Sequence, residues 1–179
     1  FLKQVNIRFI FLAGSVLLFF SSGFGGKIYT EISCHYIFLI PDKKENKLLY
    51  GTASSFIKII ADGILLFLPY TILSHSSVID FILCLITYLA IGIMMNISGL
   101  FAYRAAIFLG FSGIIAQSVF MMLFQILLMA GAVVLTGIGT AGFTLFNSYS
   151  LYTSLLIYSI VLAGLFTAGA AGLFDNMEF

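Results

Sequence analysis

The sequence predicts an all-α membrane protein: a polytopic transmembrane bundle of about five membrane segments, with one short cytoplasmic interfacial helix. Three observations carry that prediction. Hydrophobic residues make up 61% of the 179-residue chain and charged ones only 8%, whereas soluble domains are roughly 25% charged. Apolar stretches of membrane-crossing length recur along the chain, and a helix across a ~30 Å hydrocarbon core needs about 20 such residues. The few charges are gathered, with Asp42, Lys43, Lys44, Glu45 and Lys47 in one short run. A soluble fold of this size could not cover its surface with so few charges; lipid removes that need.

The segments follow in order. The first, Phe9–Gly26, is short and ends in "SSGFGG". With Lys3, Arg8 and the small residues after it, it has the outline of a signal peptide, but no soluble secreted domain follows. The chain starts at Phe1, which suggests that an upstream part is missing. The second segment is Ala53–Leu73, with Lys58 and Asp62 inside it. The third is Val78–Phe101, and "SVID" before it places Ser77 and Asp80 at capping spacing. The fourth, Ile107–Leu135, exceeds one crossing; it begins as an interfacial stretch around Arg104–Gly113 or it tilts. The Gly-rich Thr136–Phe143 reads as a loop or helix break. The fifth is Ser150–Gly172, and the whole is read as a single transmembrane domain.

Basic residues orient these segments. One set of connections holds Lys3 and Arg8. The other holds Lys27, Lys43, Lys44, Lys47 and Arg104, with Lys58 at the start of its span. The second set is therefore expected in the cytoplasm, together with the C-terminus. Lys3 and Arg8 fit this best if the first segment is only a half-span.

The charged run has its own local logic. Pro41 disfavours a helical Ile40, and Asp42 then caps a new helix, with Glu45 three residues on. This segment is either an ordinary solvated loop or a short helix presented to a partner. Lys58 and Asp62, four apart on one helix face, form a candidate intramembrane charge pair, since an unpaired charge there costs several kcal/mol. Alternatively Lys58 snorkels to the headgroups, or Asp62 faces a polar cavity and couples to protons. Gly164, Ala168 and Gly172 make a four-residue ladder of small side chains, which permits close approach of another helix in the bundle or of a second subunit. Gln117 and Gln125, on nearly one face, read as helix-bridging residues.

Little points to catalysis, a metal or a cofactor. The two histidines, His35 and His75, lie far apart, and there is no zinc-protease, nucleophile-elbow or phosphate-loop motif. The two cysteines do not make a disulfide framework. A net charge of +1 with scattered basic residues excludes a nucleic-acid stripe.

The stretch "YIFLIPDKKENKLLYGTASSFIKIIADGILLFLP" (Tyr36–Pro69) resembles the ABC exporter permease family of Gram-positive bacteria. The matching positions are Tyr36, Leu39, Ile40, Pro41, Asp42, Lys47, Leu48, Leu49, Tyr50, Lys58, Asp62 and Gly63. The closing "LFDNMEF" is similar to the family's C-terminal end, and this chain looks like the C-terminal part of a longer permease. Lys43–Asn46 departs from the family pattern. The resemblance implies a membrane-spanning permease subunit in the bacterial cell membrane that hydrolyses nothing itself. A separate cytoplasmic ABC ATPase would engage Leu39, Ile40, Pro41, Asp42, Lys43, Lys44 and Lys47, and a second permease subunit would complete a homo- or heterodimer. The competing readings are a stand-alone proton-coupled carrier or channel, and a non-transporting membrane scaffold.

Overall fold

The computed structural model describes residues 13–15, 44–74, 77–111, 113–142 and 150–171. These are almost entirely helical, with no strand among them. Four long helices follow in order: α1 (Lys44–Ser74), α2 (Val78–Phe108), α3 (Ile114–Gly142) and α4 (Ser150–Ala171). All four are long and apolar enough to cross a membrane, with the candidate spans at Ser55–Leu73, Val78–Phe108, Ile115–Val134 and Tyr152–Ala170. Of the expected first segment, Phe9–Gly26, only residues 13–15 are described, as helix.

Two expected boundaries need correction. The third segment does not stop at Phe101. α2 continues to Phe108, and Arg104 lies inside its final turns and not in a connecting turn. The chain turns after Phe108, and α3 begins at Ile114. Likewise Thr136–Gly142 is the end of α3 and not a loop. Glycine weakens a helix by about 1 kcal/mol relative to alanine. Past the candidate span, which ends at Val134, the hydrogen bonds of a continuing helix offset that cost.

α2 is the central element and packs on the other three. Its start is capped as the sequence implies: the Ser77 hydroxyl accepts from Ile79 N–H at 3.3 Å, and Asp80 stands in the first turn. α1 runs antiparallel to it. Ile59 lies over Gly92, Gly63 lies against Leu85 and Tyr88, and the Phe67 ring meets Tyr88 edge-on at 5.3 Å. α4 runs parallel to α2. The Cys84 thiol donates to the Tyr152 hydroxyl near one end, and the Phe101 ring rests on Gly169 near the other. α3 is antiparallel to α4, and Tyr158 donates to the Leu128 carbonyl at 2.8 Å.

Two apolar clusters result. The larger, around Phe67, Tyr88, Met94, Met95 and Tyr152, joins α1, α2 and α4 and reaches Ala132 of α3. The smaller, Ile97, Leu100 and Ala170, lies toward the end where α2 and α4 both finish. Gly14 touches the first cluster, since a side chain there would meet Leu66 and Tyr88 at 3.5 Å. At Gly92, Gly131 and Gly169 a side chain of a neighbouring helix (Ile59, Tyr158 and Phe101) rests on the glycine backbone, the small-residue packing that membrane bundles use in place of a hydrophobic drive between helices. The outward faces are apolar, as at Ile57, Leu65, Leu127 and Leu165, and lipid suits them.

Candidate functional site

The antiparallel order brings the start of α1, the end of α2, the start of α3 and the end of α4 to one end of the bundle. Lys44, Lys47 and Arg104 belong to that end. α1 is 31 residues long, ~46 Å at 1.5 Å per residue. Its apolar span is only Ser55–Leu73. The stretch from Lys44 to Ser54 therefore extends the same helix beyond the span, with no break between them. Leu39, Ile40, Pro41, Asp42 and Lys43 lie outside the described residues, as do Cys34, His35 and His75. The helix expected behind Pro41 is described from Lys44 on and is continuous with the transmembrane segment.

Lys58 is exposed and Asp62 half-buried. They share a helix face, one turn apart, but no salt bridge joins them among the described residues. Gly63, the next residue, packs on α2: a side chain there would meet the Tyr88 ring at 3.1 Å.

Arg104, read from the sequence only as a topology marker, has a structural partner. It is half-buried, and its guanidinium donates to the carbonyl of Gly169 in the last turn of α4. The last four carbonyls of a helix lack intrahelical donors, and a cation there also meets the negative end of the helix dipole. Arg104 thus ties the ends of α2 and α4 together.

The small-residue ladder does not pack inside this bundle. Gly164 and Ala168 are exposed, nothing approaches within 4 Å of a side chain built at Gly164, and Gly172 lies outside the described residues. The in-bundle close approaches fall on Gly92, Gly131 and Gly169. The glutamines also differ from expectation. Gln117 bridges no helices but donates to the Phe111 carbonyl of its own turn at 2.8 Å. Gln125 is buried in mid-span, and its Oε1 has no hydrogen-bond partner. Among the described residues, no three His, Cys, Asp or Glu side chains gather where they could hold a metal ion.

No match was found among curated proteins or among solved structures. The family comparison is decisive in scope: it extends the likeness from Tyr36–Pro69 to residues 2–178, nearly the whole chain. With four apolar helices of spanning length, the protein is a multi-pass membrane component of a transporter, and it belongs to the family described as "Putative ABC exporter".

Proposed function

We propose that this chain is the membrane-spanning permease subunit of an ABC-type exporter, driven by a separate cytoplasmic ATPase that engages the segment from Leu39 to Lys47. The observation that carries the proposal is the unbroken α1. A force applied near Lys44 acts on one end of a helix whose other part crosses the membrane and packs on α2 through Ile59, Gly63 and Phe67. A hinge at the membrane surface would dissipate that force; a continuous helix transmits it.

Lys44 and Lys47 lie near the described start of α1, and in this reading they meet anionic lipid headgroups and acidic groups on the ATPase. In the same reading the Lys44 end of the bundle and the C-terminus face the cytoplasm of a bacterial cell. Gly164 and Ala168, exposed on α4, offer a surface for a second permease subunit, identical or related. The nucleotide is bound and hydrolysed by the partner.

The test is charge reversal of Lys43→Glu with Lys44→Glu. The expected result is loss of ATPase co-purification and of ATP-dependent export, with the permease still inserted. Undiminished co-purification and export would overturn the reading. A proton-coupled carrier is favoured by one observation only, a half-buried Asp62 within a candidate span and without a salt bridge among the described residues. Export that survives removal of the ATPase but stops on Asp62→Asn would establish that alternative.

A further inference from the structure

The inward stripe of α3 is Met121, Gln125, Leu128 and Ala132, at helical spacing and all buried. Gln125 is its one polar member. It lies at the middle of the candidate span Ile115–Val134, ~14 Å along the helix from either end. The residue is 1% exposed. Its amide oxygen is shut from solvent and accepts no hydrogen bond among the described residues.

Other polar side chains buried this deeply differ in kind. Thr87, Ser98 and Ser159 carry hydroxyls, and each donates to a carbonyl of its own helix, at Leu83, Met95 and Leu155. An amide oxygen has no such recourse. It only accepts, and the N–H groups of mid-helix are spent on the helix ladder. A donor must come from another helix or from a molecule between helices. The nearby hydroxyl of Tyr158 on α4 is already committed to the Leu128 carbonyl at 2.8 Å. Bulk water does not reach the middle of the hydrocarbon core, and a polar group left unsatisfied there marks a functional path. We propose that Gln125 is the hydrogen-bond acceptor of an intramembrane binding site between α2, α3 and α4. Its ligand is a largely apolar molecule that carries a hydroxyl or N–H donor.

The surroundings suit the apolar body of such a molecule. Met121 and Leu128 flank the amide one turn away on either side. The ring of the adjacent Phe124 lies 5.9 Å from Phe101 of α2 and 5.6 Å from Phe166 of α4, and those two stand 5.1 Å apart. Three helices thus meet in aromatic rings beside the oxygen. The amide is covered in the arrangement described, so entry needs α3 to part from α4. The Tyr158–Leu128 bond permits this: the carbonyl has a second lone pair for its helical donor, so α3 loses no ladder bond when Tyr158 leaves. That the molecule is cargo rests on the exporter reading; the site itself does not.

The experiment uses the purified full chain in detergent micelles, without an ATPase, and two probes built on one ring system. The first, 1-naphthol, has an O–H donor; the second, 1-methoxynaphthalene, has none. The chain contains no tryptophan, so naphthalene anisotropy is read with little protein background. The expected result is that naphthol binds about fivefold more tightly than the ether, the worth of one hydrogen bond. Gln125→Met, of similar length and without the amide, should abolish that difference. Equal affinities in the unmodified chain, no binding of naphthol, or a difference that survives Gln125→Met would overturn the proposal. The melting temperature of the probe-free chain is the second readout. Gln125→Met removes an unsatisfied buried oxygen and should raise it. A lower melting temperature, or a variant that does not fold, would mean that the oxygen has a donor inside the protein, and would refute the site. With no ATPase present, failure of either readout leaves the coupling at Lys43 and Lys44 untouched, and failure of that coupling leaves this site untouched.

Discussion

Alanine at Gly92 and alanine at Gly164 should have opposite effects, and the difference measures how tightly α1 is seated on α2. Both glycines lie within helices, so each substitution gains about 1 kcal/mol of helix propensity. They differ in surroundings. A Cβ at Gly92 would stand 2.8 Å from Ile59 Cγ2, 2.9 Å from its Cδ1 and 3.2 Å from its Cγ1. Ile59 is almost fully buried, and its β-branched side chain has little rotamer freedom in a helix. Overpacking of this kind costs about 1–3 kcal/mol. Gly92→Ala is therefore net destabilising by about 0–2 kcal/mol once the propensity gain is offset. At Gly164 nothing lies within 4 Å, so Gly164→Ala should stabilise the isolated chain by up to about 1 kcal/mol.

The assay is equilibrium unfolding in mixed micelles, run as a cycle with Ile59→Ala. That change alone should cost about 2–5 kcal/mol. The double variant should cost less than the sum, because the methyl at position 92 enters the space that Ile59 vacates. Additivity within about 0.5 kcal/mol, together with equal stabilisation by both glycine substitutions, would refute the described contact between α1 and α2.

Three other outcomes follow from the same geometry. Arg104→Ala should destabilise the fold by about 1.5–3 kcal/mol, the range for a hydrogen bond to a charged group, with Arg104→Lys intermediate; thermal unfolding in detergent checks it. Gly110→Ala forces a side chain into a left-handed conformation at about 1–2 kcal/mol, and the melting temperature should fall by a few degrees. Lys44→Cys, in a chain without other cysteines, should react with a membrane-impermeant maleimide in inverted vesicles and not in intact cells; the opposite labelling would invert the topology.

The spans were legible because length and hydropathy dominate in lipid. Val78 is the first residue of α2, and it was legible from the Ser77 hydroxyl just before it. The end of α2 was not, because "AAIFLGFSGII" is apolar on both sides of the turn and offers no change of composition. The local clue was Gly110, whose positive φ ends the helix, but among many glycines it carried no mark of its own. Thr136–Gly142 misled for the converse reason. Glycine and threonine signal a break, but each costs a helix only about 1 kcal/mol or less, and a helix already formed through Val134 continues across them.

At the candidate site, the gathering of charge ahead of a span could be read directly, while the continuity of that stretch with the span's helix and its partners in space could not. Lys58 and Asp62 have the spacing of a pair, yet no salt bridge joins them among the described residues. Arg104 meets Gly169 only because α2 and α4 run parallel. The Gly164–Ala168 ladder has the pattern of a packing face, but the register of the bundle assigns that work to Gly92, Gly131 and Gly169. Each of these depends on tertiary register, which hydropathy does not encode.

The central claim, that an ATPase drives this chain through the start of α1, is tested most directly by a photo-crosslinking amino acid at Lys44 in native membranes. The account predicts an adduct with a protein that carries a phosphate-binding loop, absent when the same group is placed at Leu127 on the lipid face of α3. An adduct with lipid alone at position 44, with that ATPase present in the same membranes, would contradict it.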